Sequence, residues 1–286
     1  MHLTADLAYW INERYAMKLR KETPEFELLA HGYSPDPNMG TVRYCNVHRE
    51  DDRVTKWIRT HWNRAGDPAW KFVLGRMVNL PSTLQQILWG WEQHPQQPAL
   101  DQAKLDMQVE RSMGKKVWTA AYTISTCGRA MDKIDYVFDH VVAGVLSQEK
   151  LNNIRHDDCA FMWRSLQTVD GLGSFLSAQV VADMKNTKGH PLADAEDWWT
   201  FSAPGPGSLR GLSWYFTGTP TGVTAGDYQK CLDICRSEVD PLVANYVPRI
   251  SNQDFQNCLC EFSKYMKVKV LNGHVRNRYV ARIQSN

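Results

Sequence analysis

The chain has 286 residues, 43% of them hydrophobic, and its 33 basic and 31 acidic residues leave a net charge of +2. That apolar share can build a real interior for one large domain or for two lobes sharing a core. Near-neutrality excludes a protein that coats nucleic acid by overall charge, and no apolar run approaches the roughly 18 residues of a membrane-spanning helix.

The seven cysteines are scattered. Cys231 and Cys235 are four apart and Cys258 and Cys260 two apart, but no second pair or spaced histidine completes a zinc site or a disulfide framework. With no signal peptide at the start, the expectation is a reducing cytoplasm. Eleven tryptophans either fill a bulky core or supply flat surfaces for stacked bases.

In chain order, Leu7, Trp10, Ile11, Tyr15 and Leu19 fall on one face of a helix over the first twenty residues. Pro24 interrupts it, and 32–40 reads as a loop. A helix over 51–62 turns Val54, Trp57 and Ile58 inward. Pro81 opens another helix through Trp91, with Asn79 before it as a cap. Helices follow over 100–111, 135–146, 157–166, 173–184, 224–239 and 252–265. Only 117–124 is ambiguous between helix and strand, so the expected class is all-α: a single helical catalytic domain over 1–286 with two lobes. After Glu261 the sequence has no acidic residue but carries Lys264, Lys267, Lys269, Arg276, Arg278 and Arg282. This basic tail, 264–286, either tracks a phosphate backbone or is simply solvated.

The most informative segment is the hairpin at about 157–184. One amphipathic helix runs into Val169-Asp-Gly-Leu-Gly173 and a second begins at once. Gly171 and Gly173 permit positive φ and close backbone approach. The first amides of the second helix, around Leu172, Gly173 and Ser174, then point outward with the positive end of its dipole, which suits a DNA phosphate. Ser174, Ser177, Ala178 and Ala182 let the two helices approach. An ordinary tight helical corner also uses glycine.

This segment resembles the helix-hairpin-helix of the base-excision DNA glycosylases, which implies a two-lobed, glycosylase-like helical fold. The resemblance implies an essential Asp some twenty residues past the hairpin. Asp197 is the choice there, with Asp194 and Glu196 as rivals and Trp198 and Trp199 as stacking rings beside it. Phe175 stands at the position of the Schiff-base lysine of bifunctional members, which argues against a lyase.

Three further blocks, Tyr44-Cys-Asn-Val-His-Arg-Glu-Asp-Asp-Arg53, Ala203-Pro-Gly-Pro-Gly-Ser-Leu-Arg-Gly-Leu212 and Cys258-Leu-Cys-Glu-Phe-Ser-Lys-Tyr265, resemble a bacteriophage family over roughly 35–270. That family is the alpha-glutamyl/putrescinyl thymine pyrophosphorylases, or amino acid:DNA transferases, to which the helical domain of the 5-hydroxymethyluracil DNA kinases is related. Those kinases add a P-loop, and no GxxxxGK[ST] occurs here. The resemblance implies a stand-alone transferase in the cytoplasm of an infected host. Its substrates would be DNA carrying pyrophosphorylated 5-hydroxymethyluracil, flipped from the helix, and an amine from an amino acid or polyamine.

Such chemistry needs an anion clamp, for which Arg43, Arg49, Arg53, Arg210 and Lys264 are candidates. It needs a base, for which Asp197, Asp52 and His48 are candidates. It needs contacts to the base edge or phosphate, for which Asn46 and Trp198 are candidates. The other readings are surface ion pairs around Arg49 and Arg53, a helix cap at each Asp, and a turn residue at Asn46. No cofactor is required by sequence; Mg²⁺ accompanying pyrophosphate and a monovalent cation at the hairpin are the options kept. A glycosylase for a modified base and a non-catalytic DNA-binding module remain the alternative functions.

Overall fold

The computed structural model describes residues 2–29, 31–62, 68–88, 96–119, 124–152 and 158–275. Among these residues the regular elements are all helical, apart from isolated bridges between Leu29 and Gly32 and between His31 and Ser34. They are α1 (Thr4–Glu22), α2 (Pro37–Gly40), α3 (Arg53–His61), α4 (Ala69–Val78), α5 (Pro81–Leu88), α6 (Gln96–Ser112), α7 (Lys133–Asp135), α8 (Ala143–Leu146), α9 (Glu149–Asn152), α10 (Cys159–Leu166), α11 (Ser174–Lys185), α12 (Pro206–Thr217), α13 (Tyr228–Val243) and α14 (Asn252–Leu271). A π-helical turn, Tyr136–Val142, joins α7 to α8. The chain divides into two compact units, one formed by Met1–Asp51 with Ser202–Asn286 and the other by Asp52–Phe201.

The first unit is built on α12 against α14, with α1 laid on α13. Its core joins Leu7, Trp10 and Ile11 to Leu212, Tyr215, Leu232, Val239, Phe255, Leu259 and Phe262. The α12–α14 approach depends on glycine. A Cβ on Gly207 would lie 2.2 Å from Cys260 Sγ, and one on Gly211 would lie 2.1 Å from the Leu259 carbonyl oxygen. These glycines, one turn apart, face the same way along α12. The block around Arg210 is therefore partly a packing signature. α14 begins in a capping box between Ser251 and Asp254, and Asp254 also accepts from the Arg49 amide at 2.7 Å. It runs to Leu271, beyond the expected 265, so Lys264, Lys267 and Lys269 lie on helix. Arg276, Arg278 and Arg282 lie outside the described residues.

In the second unit α4 is buried on every side, as a central helix must be. Its period-free apolar run hid it from a search for amphipathic faces. Arg76 on α4 and Asp183 on α11, both fully buried, form an ion pair, with Arg76 Nε donating to Asp183 at 2.7 Å. Thr55 on α3 donates to Asp183 at 2.7 Å and accepts from Arg76 at 3.0 Å. Three helices are thus tied by one satisfied polar network.

α12 and the short α9 are not among the expected helices; at most of the others the differences are at the ends. α1 follows its predicted face except at Leu19, which is exposed. The expected 32–40 loop contains the short α2, started by Asp36 accepting from the Asn38 amide. Residues 117–119 and 124 are irregular, and the rest of that ambiguous stretch lies outside the described residues.

Candidate oxyanion cavity and helical hairpin

In the first unit, α12 contributes Arg210 and Trp214 one turn apart, and α14 contributes Lys264, Lys267 and Leu271 on one face. Together with Val42 and Arg43 from the preceding irregular segment, and with Ser263, His274 and Val275, they line a cavity of about 520 Å³. Three of the five predicted clamp residues, Arg43, Arg210 and Lys264, are thereby brought together. Lys267 and His274 were not on that list; the i, i+3 spacing of Lys264 and Lys267 was the signal that could have found Lys267.

Lys264 is held in place by Glu261, whose buried carboxylate lies 2.5 Å from its ammonium. Partial burial alone would lower the Lys264 pKa, but Glu261 overrides it and holds the group above the usual lysine value. Glu261 also accepts from the Cys45 amide at 3.1 Å, tying the Arg43–Cys45 segment to α14. Arg210 is exposed and makes no hydrogen bond to a described residue. Burial and Glu261 push the Cys260 thiol up to about 11, so it stays protonated at neutral pH and is no nucleophile.

The other two predicted arginines are not among the residues that line this cavity. Arg49 is buried in a 3₁₀ turn beneath α14. Arg53 is exposed at the start of α3 and belongs to the second unit. Asn46 has the turn role, accepting from Arg14 at 2.5 Å and donating to the Asp51 carbonyl at 2.9 Å. His48 is buried, with Nε2 3.2 Å from the Pro248 carbonyl and its ring edge-on to Tyr15.

In the second unit α10, the turn at 167–173 and α11 form the expected hairpin. Gly171 has φ +92°, and a Cβ there would meet the Tyr136 hydroxyl at 2.5 Å, so both conformation and space demand glycine. Leu172 is buried beneath the turn, whereas a Cβ on Gly173, the N-cap of α11, would meet nothing within 4 Å. The Ser174 carbonyl accepts from Trp163 Nε1 at 3.0 Å, locking α10 to α11. A cavity of about 380 Å³ lies against this turn, lined by Met77, Ile124, Ser125, Cys127, Gly171, Gly173, Phe175 and Leu176. Asp170 at the turn's edge pairs with Arg129 and, at 3.0 Å, with His140. That negative charge among the turn residues was not weighed in the sequence.

Both Asp candidates in this unit cap helices. Asp197 accepts from the amides of Cys159 and Ala160 at 2.8 and 2.9 Å, at the start of α10. Asp52 accepts from Val54 and Thr55 at the start of α3 and lies 3.4 Å from Arg76. Trp198 is clasped by Lys185: its Nε1 donates to the Lys185 carbonyl at 2.8 Å, and the ammonium sits 4.2 Å from its ring. Trp199 is the more exposed of the pair. The rivals Asp194 and Glu196 are exposed.

Among the described residues no group of three or more His, Cys, Asp or Glu is placed to hold a metal. A Mg²⁺ arriving with a phosphate ligand would meet no carboxylate among the described residues lining the larger cavity. No described helix is long and apolar enough to cross a membrane.

These features define an all-α protein with a cation-lined cavity suited to an oxyanion. A family model described as "5-hmdU DNA kinase, helical domain" matches residues 1–274, and the chain belongs to that family. No curated protein and no solved structure gave a match.

Proposed function

We propose that the protein is a DNA-modifying transferase acting on pyrophosphorylated 5-hydroxymethyluracil. The observation that carries this reading is the convergence of Arg43, Arg210 and Lys264 on one cavity from three distant stretches of sequence. Membership of the family of 5-hmdU DNA kinase helical domains supplies the connection to 5-hmdU in DNA.

In the proposed step, the lone pair of a deprotonated amine forms a C–N bond at the exocyclic CH₂ of the base. The C–O bond breaks, and its electron pair leaves with pyrophosphate. The allylic position assists departure electronically, and the cavity's cations neutralise the growing charge. Each charge-assisted hydrogen bond contributes about 1.5–3 kcal/mol, with the exposed Arg43 and Arg210 at the low end. The hairpin's first-turn amides are assigned to the DNA backbone. The candidates for the ammonium's proton are Asp197, Asp52 and His48; His48 belongs to the unit that holds the cavity, Asp52 and Asp197 to the other. A carboxylate offers about four lone-pair sites, and capping α10 occupies two of those on Asp197.

The family description favours a second reading, in which the chain presents 5-hmdU to a kinase and the cavity takes the phosphate being installed. One assay separates the two. DNA carrying the pyrophosphorylated base is incubated with the protein and a panel of amines, DNA carrying 5-hydroxymethyluracil is incubated with ATP, and the nucleosides are analysed by mass. A carbon–nitrogen adduct is expected. Phosphorylation from ATP supports the second reading, an abasic site would identify a glycosylase, and unchanged DNA would leave only a binding module.

A further inference from the structure

Five of the described residues that line the larger cavity carry a titratable side chain: Arg43, Arg210, Lys264, Lys267 and His274. Arginine and lysine are cations at neutral pH; they attract an anion but give it no proton. Ser263 lines the cavity as well, but a hydroxyl is too weak an acid to serve. Of these residue types only histidine changes charge between pH 5 and 8. His274 is therefore the one described residue on this wall able to donate a proton near neutral pH and to recover it. Its position is built by the end of α14. The helix stops at a left-handed cap, Asn272 with φ +49°, and the Gly273 amide donates to the Lys267 carbonyl at 2.9 Å. Lys267 Nζ then donates to the His274 carbonyl at 3.0 Å. A Cβ on Gly273 would lie 2.6 Å from Lys267 Cγ, so glycine lets this turn lie against the Lys267 stem. The chain thus folds back over the last turn of α14 and sets His274 at the cavity beside Lys267. The other charged groups on the wall are all cations, Arg43 from the irregular segment, Arg210 from α12, and Lys264 and Lys267 from α14. Glu261, buried on the same helix, is paired with Lys264.

We propose that His274 is the general acid of the reaction, its imidazolium handing a proton to the departing pyrophosphate. The inference rests on the transferase reading above. A pyrophosphate group bound among the cations brings negative charge to the wall, which favours the protonated imidazole. As the amine's lone pair forms the C–N bond, the C–O bond breaks and its electron pair stays on the pyrophosphate oxygen. The His274 proton joins that oxygen, and the imidazole is left neutral. The new ammonium loses its extra proton to solvent, and His274, which is exposed, regains one from solvent, so the protons balance. The cations lower the energy of the developing charge, and the transferred proton removes part of it outright. General acids contribute about 10²–10⁴-fold; pyrophosphate already leaves well, which places His274 at the low end.

The test uses the full chain and His274→Gln, whose melting temperature should match the native one because the residue is exposed. Inorganic pyrophosphate is titrated calorimetrically near neutral pH in buffers of different ionisation enthalpy, which reports the protons exchanged on binding. The native chain is expected to take up about half a proton more per site than His274→Gln, with affinities within about threefold. Turnover of DNA carrying the pyrophosphorylated base is then followed from about pH 6 to about pH 9. The native rate is expected to rise as the amine loses its proton and to fall as His274 loses its own. His274→Gln is expected to lower kcat about 10²-fold, leave KM within about threefold and abolish the falling limb. A native kcat in His274→Gln, or a loss confined to KM and pyrophosphate affinity, would overturn the inference and leave the transferase standing. If no amine reacts, the transferase reading fails and the calorimetry decides. Extra proton uptake by the native chain would keep His274 as the proton-carrying member of the anion site. Equal uptake by both chains, or no pyrophosphate binding, would overturn it.

Discussion

Lys264 and Glu261, three residues apart on α14, form an ion pair of 2.5 Å in which the Glu261 side chain is buried and the Lys264 side chain 41% exposed. The pair aims a cation at the larger cavity, and Glu261 also anchors the segment that carries Arg43 through the Cys45 amide. Glu261→Ala removes both contacts and is expected to cost about 1–3 kcal/mol in urea unfolding. The folded pKa of Lys264 is raised, so the pair's stabilisation is fully present below the ordinary lysine value, about 10.4, and is lost as pH rises through the higher folded value. Glu261→Gln should flatten that alkaline limb of the stability profile.

The Arg76–Asp183 pair makes the opposite energetic case, because both partners are fully buried. Removing one leaves an uncompensated charge among α3, α4 and α11. Asp183→Asn or Arg76→Met should destabilise by about 3–5 kcal/mol, measured by chemical denaturation. The double variant Arg76→Met/Asp183→Leu should recover part of that loss.

Gly211 meets the Leu259 carbonyl so closely that an added methyl has nowhere to go. Gly211→Ala should force α12 from α14 and cost about 1–3 kcal/mol in thermal or urea unfolding. Because Arg210 is its neighbour, weaker pyrophosphate binding should accompany the loss.

Asp170 places a negative charge at the hairpin and engages Arg129 and His140. Its pKa is held below the usual carboxylate value by the His140 hydrogen bond and by Arg129, so these contacts persist at neutral pH and loosen as pH falls through that lowered value. In the DNA-binding reading, Asp170→Asn removes the repulsion and releases two cationic groups. DNA affinity should rise about three- to tenfold, with a steeper salt dependence in a fluorescence titration.

Asp197 serves α10 whatever else it does, since two first-turn amides donate to it. Asp197→Ala should cost about 1–2 kcal/mol of stability. Turnover separates the roles: a cap alone predicts that Asp197→Asn, which keeps one acceptor, retains most activity at a temperature where it is folded. A proton acceptor predicts loss of turnover with DNA binding intact.

The all-α class and most helices were legible because their apolar residues recur at helical spacing, as in Leu7, Trp10 and Ile11. The hairpin was legible because positive φ at Gly171 needs a residue type that stands out. α4 was not, since a helix buried all round has no polar face to mark its period. Arg43, Arg210 and Lys264 were singled out, but their meeting is tertiary, and Arg49 looked equivalent until its burial separated it. Asp52 and Asp197 illustrate the remaining difficulty: Asp52 caps its own helix in a pattern that looks the same whether it also reacts, and Asp197 caps α10 from 37 and 38 residues away, a contact with no local signal.

Calorimetric titration of inorganic pyrophosphate into the full chain tests the central claim most directly, because Arg210 is exposed and its replacement should leave the fold intact. The prediction is one site per chain, weakened about tenfold by Arg210→Ala and by Lys264→Ala, with the Arg210→Ala melting temperature unchanged. Absence of binding, or binding that neither substitution alters, would contradict the account.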